Sequence, residues 1–266
     1  MLPLDNPIWT ALTTKQAQHA HSSSLARRFP PEMTLLGALA ANTAMAFDSL
    51  AQLIQRDAVN LYFTSPPQIP AGWEIVRAVE LHQMVQETEA PPLSAQDNAA
   101  PAPIELTPAD IPEMSVVYTA TRPGRTLCPR IQKLGQFLGI REPGKEDGKL
   151  VAMGGLRLHL PGYREITTVA TMPGHEGRGY ATAIVRALID RIRSRGERPF
   201  LTVRNDNTRA IEIYQRLGFK ERTLLYSRTP YVIFENKGFR ETIFDFKGLR
   251  GKIRQTQELA ARAISY

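Results

Sequence analysis

The spacing of apolar residues changes period several times along this 266-residue chain, and each change marks an element. From Glu165 to Thr171, five of seven residues are β-branched, which predicts a strand. Pro173-Gly174 ends it. Beyond Gly177-Arg178-Gly179-Tyr180, the residues Ala181, Ile184, Val185, Leu188, Ile189 and Ile192 recur at three- and four-residue steps, one face of a helix. Arg191, Arg193 and Arg195 suit its C-terminal dipole, and Gly196 is a natural stop. Pro199 to Val203 reads as a strand. Ile211, Tyr214 and Leu217 then share a short helical face that ends at Gly218-Phe219. Upstream, Phe137 to Ile140 and Leu150 to Leu158 read as strands around a turn at Pro143 to Gly148.

The first hundred residues pattern differently. Leu12 to Ala20 predicts a short helix. Met33 to Arg56 predicts a long one, with Leu36, Leu39, Phe47, Leu50, Leu53 and Ile54 as its stripe. Val59 to Thr64 and Trp73 to Val76 read as strands around a proline-rich turn. Residues 87–103 are rich in alanine, proline and small polar residues without periodicity, which predicts a linker. The expected organisation is an α+β region of unknown role over 1–86, a linker over 87–103, and a second α/β domain over 104–266. Ile104 to Leu106 is a strand, and Thr107-Pro108 opens a helix. Beyond about residue 228 the order is less regular. Tyr231 to Phe234 or Glu241 to Phe246 is a last strand, and Lys252 to Ile264 a terminal helix.

Charge is divided between the halves. The net is +7, but residues 1–110 hold 5 Lys+Arg against 11 Asp+Glu, and residues 111–266 hold 28 against 15. The basic half, which contains the glycine turn, favours an anionic ligand. Its cations are dispersed without aromatic interleaving, which argues against a nucleic-acid partner. No run of about 18 apolar residues predicts a membrane span. One cysteine, Cys128, allows no internal disulfide, and the expected location is cytoplasmic. His19, His21 and His82 lack metal-ligand spacing, and no metal is expected.

Two glycines between a strand and a helix N-terminus leave backbone N–H groups free for an anion such as phosphate. This turn, with Gly179 and Ala181 in place, resembles the pyrophosphate signature of the GNAT superfamily of acetyl-coenzyme A-dependent N-acetyltransferases, with Glu176 where Gln or Arg is usual. Asn207, Ala210, Tyr214 and Gly218-Phe219 resemble a second family motif. The resemblance covers residues 137–226 and extends back toward Ile104.

The resemblance implies a GNAT-like mixed sheet, acetyl-CoA as cosubstrate, and a small-molecule or peptide amine as acceptor. It implies that backbone groups of Val169, Ala170 and Thr171 hold the pantetheine arm and acetyl carbonyl. The pyrophosphate cradle would be Gly177, Arg178, Gly179, Tyr180, Ala181 and Thr182. Asn207 would cap its helix or bond the pantetheine, Tyr214 would protonate the leaving thiolate, and Glu165 is the candidate general base. His159 and His175 are weaker candidates. Arg122, Arg125, Arg130 and Cys128 fall near the implied acceptor pocket, where Cys128 reads as an unreactive thiol. An alternative reading is a non-catalytic acyl-CoA-binding or regulatory module.

Overall fold

The computed structural model describes residues 2–54, 58–87, 100–142, 144 and 148–232. Its centre is an eight-stranded mixed sheet in the spatial order β4-β11-β5-β10-β9-β8-β7-β6. In chain order these strands are β4 (Leu61–Phe63), β5 (Trp73–Gln86), β6 (Ile104–Leu106), β7 (Phe137–Arg141), β8 (Leu150–Leu160), β9 (Tyr163–Thr171), β10 (Arg198–Arg204) and β11 (Phe219–Val232). Only β9 and β10 run parallel; the other pairs are antiparallel. A small sheet of β1 (His21–Ser22), β2 (Ala26–Arg28) and β3 (Gly37–Leu39) lies in the N-terminal region.

The helices are α1 (Pro7–Thr13), α2 (Ala44–Ala51), α3 (Ile111–Thr121), α4 (Tyr180–Arg193) and α5 (Thr208–Arg216). The predicted periodicity of α4 is realised. Ile184, Val185, Leu188, Ile189 and Ile192 are all buried, against Leu138, Ala152, Leu156, Ile166 and Leu201 of the sheet. Each such side chain contributes about 2 kcal/mol of burial. α5 packs on the same cluster through Ile211 and Tyr214. Gly154 of β8 makes the close approach of α4 possible, since a Cβ there would stand 2.8 Å from Ile184 Cγ2. Two further clusters join α1 and α3 to the sheet: Ile8 and Leu12 meet Leu158 and Phe200, and Met114 meets Phe137 and Met153.

Two expectations are corrected. Residues 33–56 are not one helix. Thr43 caps α2 by accepting from the Ala46 N–H at 3.3 Å, and the preceding residues form β3 against β2. Strand pairing there overrides a helical spacing of leucines. The expected boundary at 87–103 does not divide two folding units either, because β5 lies between β10 and β11. β5 also runs ten residues beyond the predicted Val76, to Gln86. Gln86 donates to the Leu217 carbonyl at 2.7 Å and accepts from Arg193 Nε at 2.9 Å, which ties β5 to both α5 and α4. Residues 1–232 form one compact unit.

β11 runs from Phe219 to Val232, so the first residues of the expected extension beyond about residue 228 belong to the sheet. Glu241 to Phe246 and Lys252 to Ile264 lie outside the described residues, as do residues 88–99 of the expected linker.

Candidate functional site

β9 and β10 pair from Tyr163/Arg198 to Ile166/Leu201 and no further. Beyond that point β9 stays on β8 while β10 stays on β5, so a gap opens between them. A bulge sets the gap's edge. Thr168 and Val169 stand opposite the single residue Gly154, and Thr168 adopts φ 57°. A β-branched residue in that region costs on the order of 1–3 kcal/mol and is held there by its surroundings. The Met172 N–H bonds Val151 of β8 at 2.8 Å. By the alternation of the ladder, Val169 and Thr171 turn their N–H and C=O groups toward the gap, and Ala170 turns toward β8. Ala170 is buried against the α3 cluster, so of the three expected β9 residues two offer backbone groups to the gap.

The glycine turn follows immediately. Gly177 and Gly179 have φ of 77° and 76°, a region open to glycine and strained for other residues. Gly179 is the N-cap of α4 and provides no side chain to its first N–H groups. The amides of the first turn, including Tyr180, Ala181 and Thr182, therefore keep the anion-binding character of a helix N-terminus. These residues fit a pyrophosphate: an uncapped start of a 14-residue helix, reached through two left-handed glycines.

Glu176 has a local role that the sequence reading did not find. Its Oε2 accepts from the Gly174 N–H at 2.7 Å, and Arg178 Nη2 donates to the Gly174 carbonyl at 3.3 Å. The two side chains hold the two peptide groups that flank the Gly174 Cα. Backbone N–H donors lower the carboxyl's pKa.

On the far side of the gap stands α5. Asn207 Oδ1 accepts from the Ala210 N–H at 3.2 Å, so its carbonyl is engaged as the helix cap. Tyr214 packs its ring on Phe219, edge to face with centroids 6.0 Å apart. Burial pushes its phenol up to about 12, against a smaller opposing effect of the Arg122 charge. It is a protonated donor at neutral pH.

The Glu165 assignment as base is corrected by its surroundings. Glu165 is 0% exposed. Both carboxylate oxygens bind Arg157, at 2.9 and 2.8 Å, and the Leu158 N–H and Thr202 hydroxyl also donate to it. A carboxylate enclosed in this way is bonded to its neighbours on both oxygens. His159 pairs with Glu197 beside the β8–β9 turn, away from the gap. His175 lies in the turn before the cradle.

Arg122 is the residue whose importance the sequence left undefined. It follows α3 and reaches 47 residues along the chain to donate to the Val169 carbonyl at 3.1 Å. Its guanidinium carbon lies 4.9 Å from the Tyr118 ring centroid. Tyr118 has its pKa raised by burial, partly offset by Arg122 and Arg157. Burial also pushes the Cys128 thiol up, in line with an unreactive cysteine. Arg130 is exposed and pairs with Glu32. Among the described residues no group of His, Cys, Asp or Glu is arranged to hold a metal ion, and no helix is long and apolar enough to cross a membrane.

The FR47-like protein family matches residues 138–227. No curated protein matches the chain. Among solved structures, a GNAT-family protein from Novosphingobium aromaticivorans is 32% identical. It aligns over 87% of this chain and 99% of its own, with a TM-score of 0.76. The fold is shared by a GCN5-related N-acetyltransferase from Kribbella flavida, at 13% identity, TM-score 0.59 and coverage of 86% and 96%. It is shared too by a GCN5-related N-acetyltransferase-like protein from Streptococcus suis, at 16% identity, TM-score 0.55 and coverage of 85% and 94%. With that identity over nearly its whole described length, a mixed sheet that opens between β9 and β10, and a glycine turn at the mouth of the opening, this chain belongs to the GNAT family.

Proposed function

We propose that the protein is an N-acetyltransferase that passes an acetyl group from acetyl-CoA directly to a primary amine. The observation that carries this reading is the continuity of the gap between β9 and β10 with the uncapped N-terminus of α4. An extended amide arm needs a free strand edge, and a pyrophosphate needs converging N–H groups. The chain offers the two in sequence, from Val169 to Thr182.

Acetyl-CoA supplies a thioester whose acyl carbon is open to attack by an amine. The Val169 N–H and the N–H and C=O groups of Thr171 orient the acyl donor along β9. The amides of Gly177 to Thr182 hold its phosphates. Tyr214 gives a proton to the sulfur as the C–S bond breaks and the C–N bond forms. With the Glu165 carboxylate engaged by Arg157, the amine's proton passes to solvent. The acceptor side carries Arg125 and Tyr118, and a positive field there favours the neutral, nucleophilic form of an amine.

Coenzyme A release should be followed over a broad panel of amines, with acetyl-CoA affinity measured in parallel. Release above the hydrolytic background with any amine supports acetyl transfer. Binding without release across the panel would favour a non-catalytic acyl-CoA-binding module.

A further inference from the structure

Arg122 carries an inference that deepens the acetyltransferase reading and rests on it. We propose that the Arg122 guanidinium faces the thioester sulfur and stabilises the thiolate as it leaves, acting beside Tyr214 as a second group for the departing side of the reaction.

Position is the first argument. Arg122 Nη2 donates to the carbonyl of Val169, a residue of β9 beyond the last β9–β10 pair. The guanidinium is therefore at the open edge of the gap, against the segment along which the acyl donor would lie. The other face of the gap is α5, which carries Tyr214.

Partnering is the second. Arg157 is neutralised by Glu165, Arg141 by Asp110 and Glu113, and Arg204 by Asp206. Arg122 bonds only neutral groups among the described residues: Thr121 Oγ1 at 3.1 Å, the Val169 carbonyl and the Tyr118 ring. A half-buried cation held by neutral acceptors is an incomplete ion pair, and its natural complement is an anion that arrives or develops beside it. The reaction develops one there. As the amine nitrogen bonds to the acyl carbon, the C–S bond breaks and its electron pair goes to sulfur. Arg122 offsets that charge until the Tyr214 hydroxyl delivers its proton to the sulfur.

The groups around this position do not supply the anion. Tyr118 on α3, Tyr214 on α5 and Cys128 in the following loop are each held above their ordinary pKa, and Arg157 on β8 is cationic. Near neutral pH, Tyr118, Tyr214 and Cys128 are therefore uncharged and the Arg157 charge is met by Glu165, so none of these groups supplies Arg122 with a counter-charge.

The thiol pKa of bound coenzyme A tests this without any acceptor. It can be read from thiolate absorbance as pH is raised, with desulfo-coenzyme A in the same site as the blank for protein groups. In the wild type it should lie below that of free coenzyme A. Arg122→Gln should raise it by about one pH unit or more, the usual effect of one close charge. Arg122→Lys, which keeps the charge, should recover at least half of that shift. A bound thiol that titrates as in free coenzyme A, or identically in wild type and Arg122→Gln, would overturn the proposal. A lysine variant as impaired as the glutamine variant would also overturn it, since that pattern marks a structural tie between α3 and β9. Failure of the wild type to bind coenzyme A at all would overturn the acetyltransferase reading and this proposal together.

Discussion

Arg157 grips Glu165 with two parallel hydrogen bonds, Nε to Oε2 at 2.9 Å and Nη2 to Oε1 at 2.8 Å, across the β8–β9 pair. The pair lies below the point where β9 and β10 part, and Thr202 of β10 adds its hydroxyl to the same carboxylate. It is a buried, fully bonded ion pair at the base of the site, and its role is to hold three strands together where two of them diverge.

Glu165→Gln should therefore act on stability. It leaves a largely buried guanidinium without its counter-charge, which costs about 3–5 kcal/mol, read from the denaturant midpoint. Turnover per folded molecule should change little. Arg157→Met combined with Glu165→Leu should recover most of the loss, because two apolar groups leave no unpaired charge. A Glu165→Gln protein as stable as wild type but catalytically dead would restore the carboxylate's candidacy as base.

A chain that begins at Ile104 should fail to form the coenzyme A site. It lacks β5, and with it the partner of both β10 and β11 and the Gln86 side chain that bonds α4 and α5. The exposed edges of β10 and β11 should make the fragment aggregate. Solubility and coenzyme A titration of the fragment check this. A soluble fragment that binds with wild-type affinity would mean that β5 is dispensable.

Glu176→Gln should tighten coenzyme A binding severalfold at low salt. The amide oxygen can still accept from the Gly174 N–H, so the turn keeps its shape while one negative charge leaves the neighbourhood of the phosphates. The gain should shrink as ionic strength rises, since the carboxylate is exposed and screened. Weaker binding at every salt concentration would show that the carboxylate's stronger hydrogen bond to Gly174 matters more than its repulsion.

What could be read from the sequence was what is encoded locally. The stripe of α4, the glycine turn before it and the cap at Asn207 each depend on residues within one or two turns of helix. The partner of β5 does not. Trp73 to Gln86 pairs with residues more than a hundred positions away, and nothing in its own pattern names them. The same holds for Arg157 and Glu165, whose pairing depends on the β8–β9 register, shifted by a bulge between Leu156 and His159. Arg122 was placed near the acceptor by resemblance, but its bond to Val169 requires the folded gap. The leucines of 36–54 mislead for a related reason: three-residue spacing fits a helix, while Leu36 and Leu39 are buried by strand contacts instead.

Tyr214→Phe separates the acid from the core aromatic, and pH sharpens the test. The phenylalanine ring preserves the edge-to-face contact with Phe219, so acetyl-CoA affinity should be nearly unchanged. Turnover should fall roughly a hundredfold, the usual worth of a placed acid. Because burial holds the phenol at about 12, the wild-type kcat should show no alkaline loss from this group through pH 10. Stability follows the same shift. The folded state binds the phenolic proton more tightly than the unfolded state, whose tyrosine titrates near the ordinary value of 10. The stabilisation is therefore complete below pH 10 and is lost as pH rises through about 12. Wild type should lose stability over that window faster than Tyr214→Phe, which has no proton to release. A variant with wild-type kcat when chemistry limits would remove Tyr214 from the mechanism, and parallel stability curves above pH 10 would show that its phenol is not held by burial.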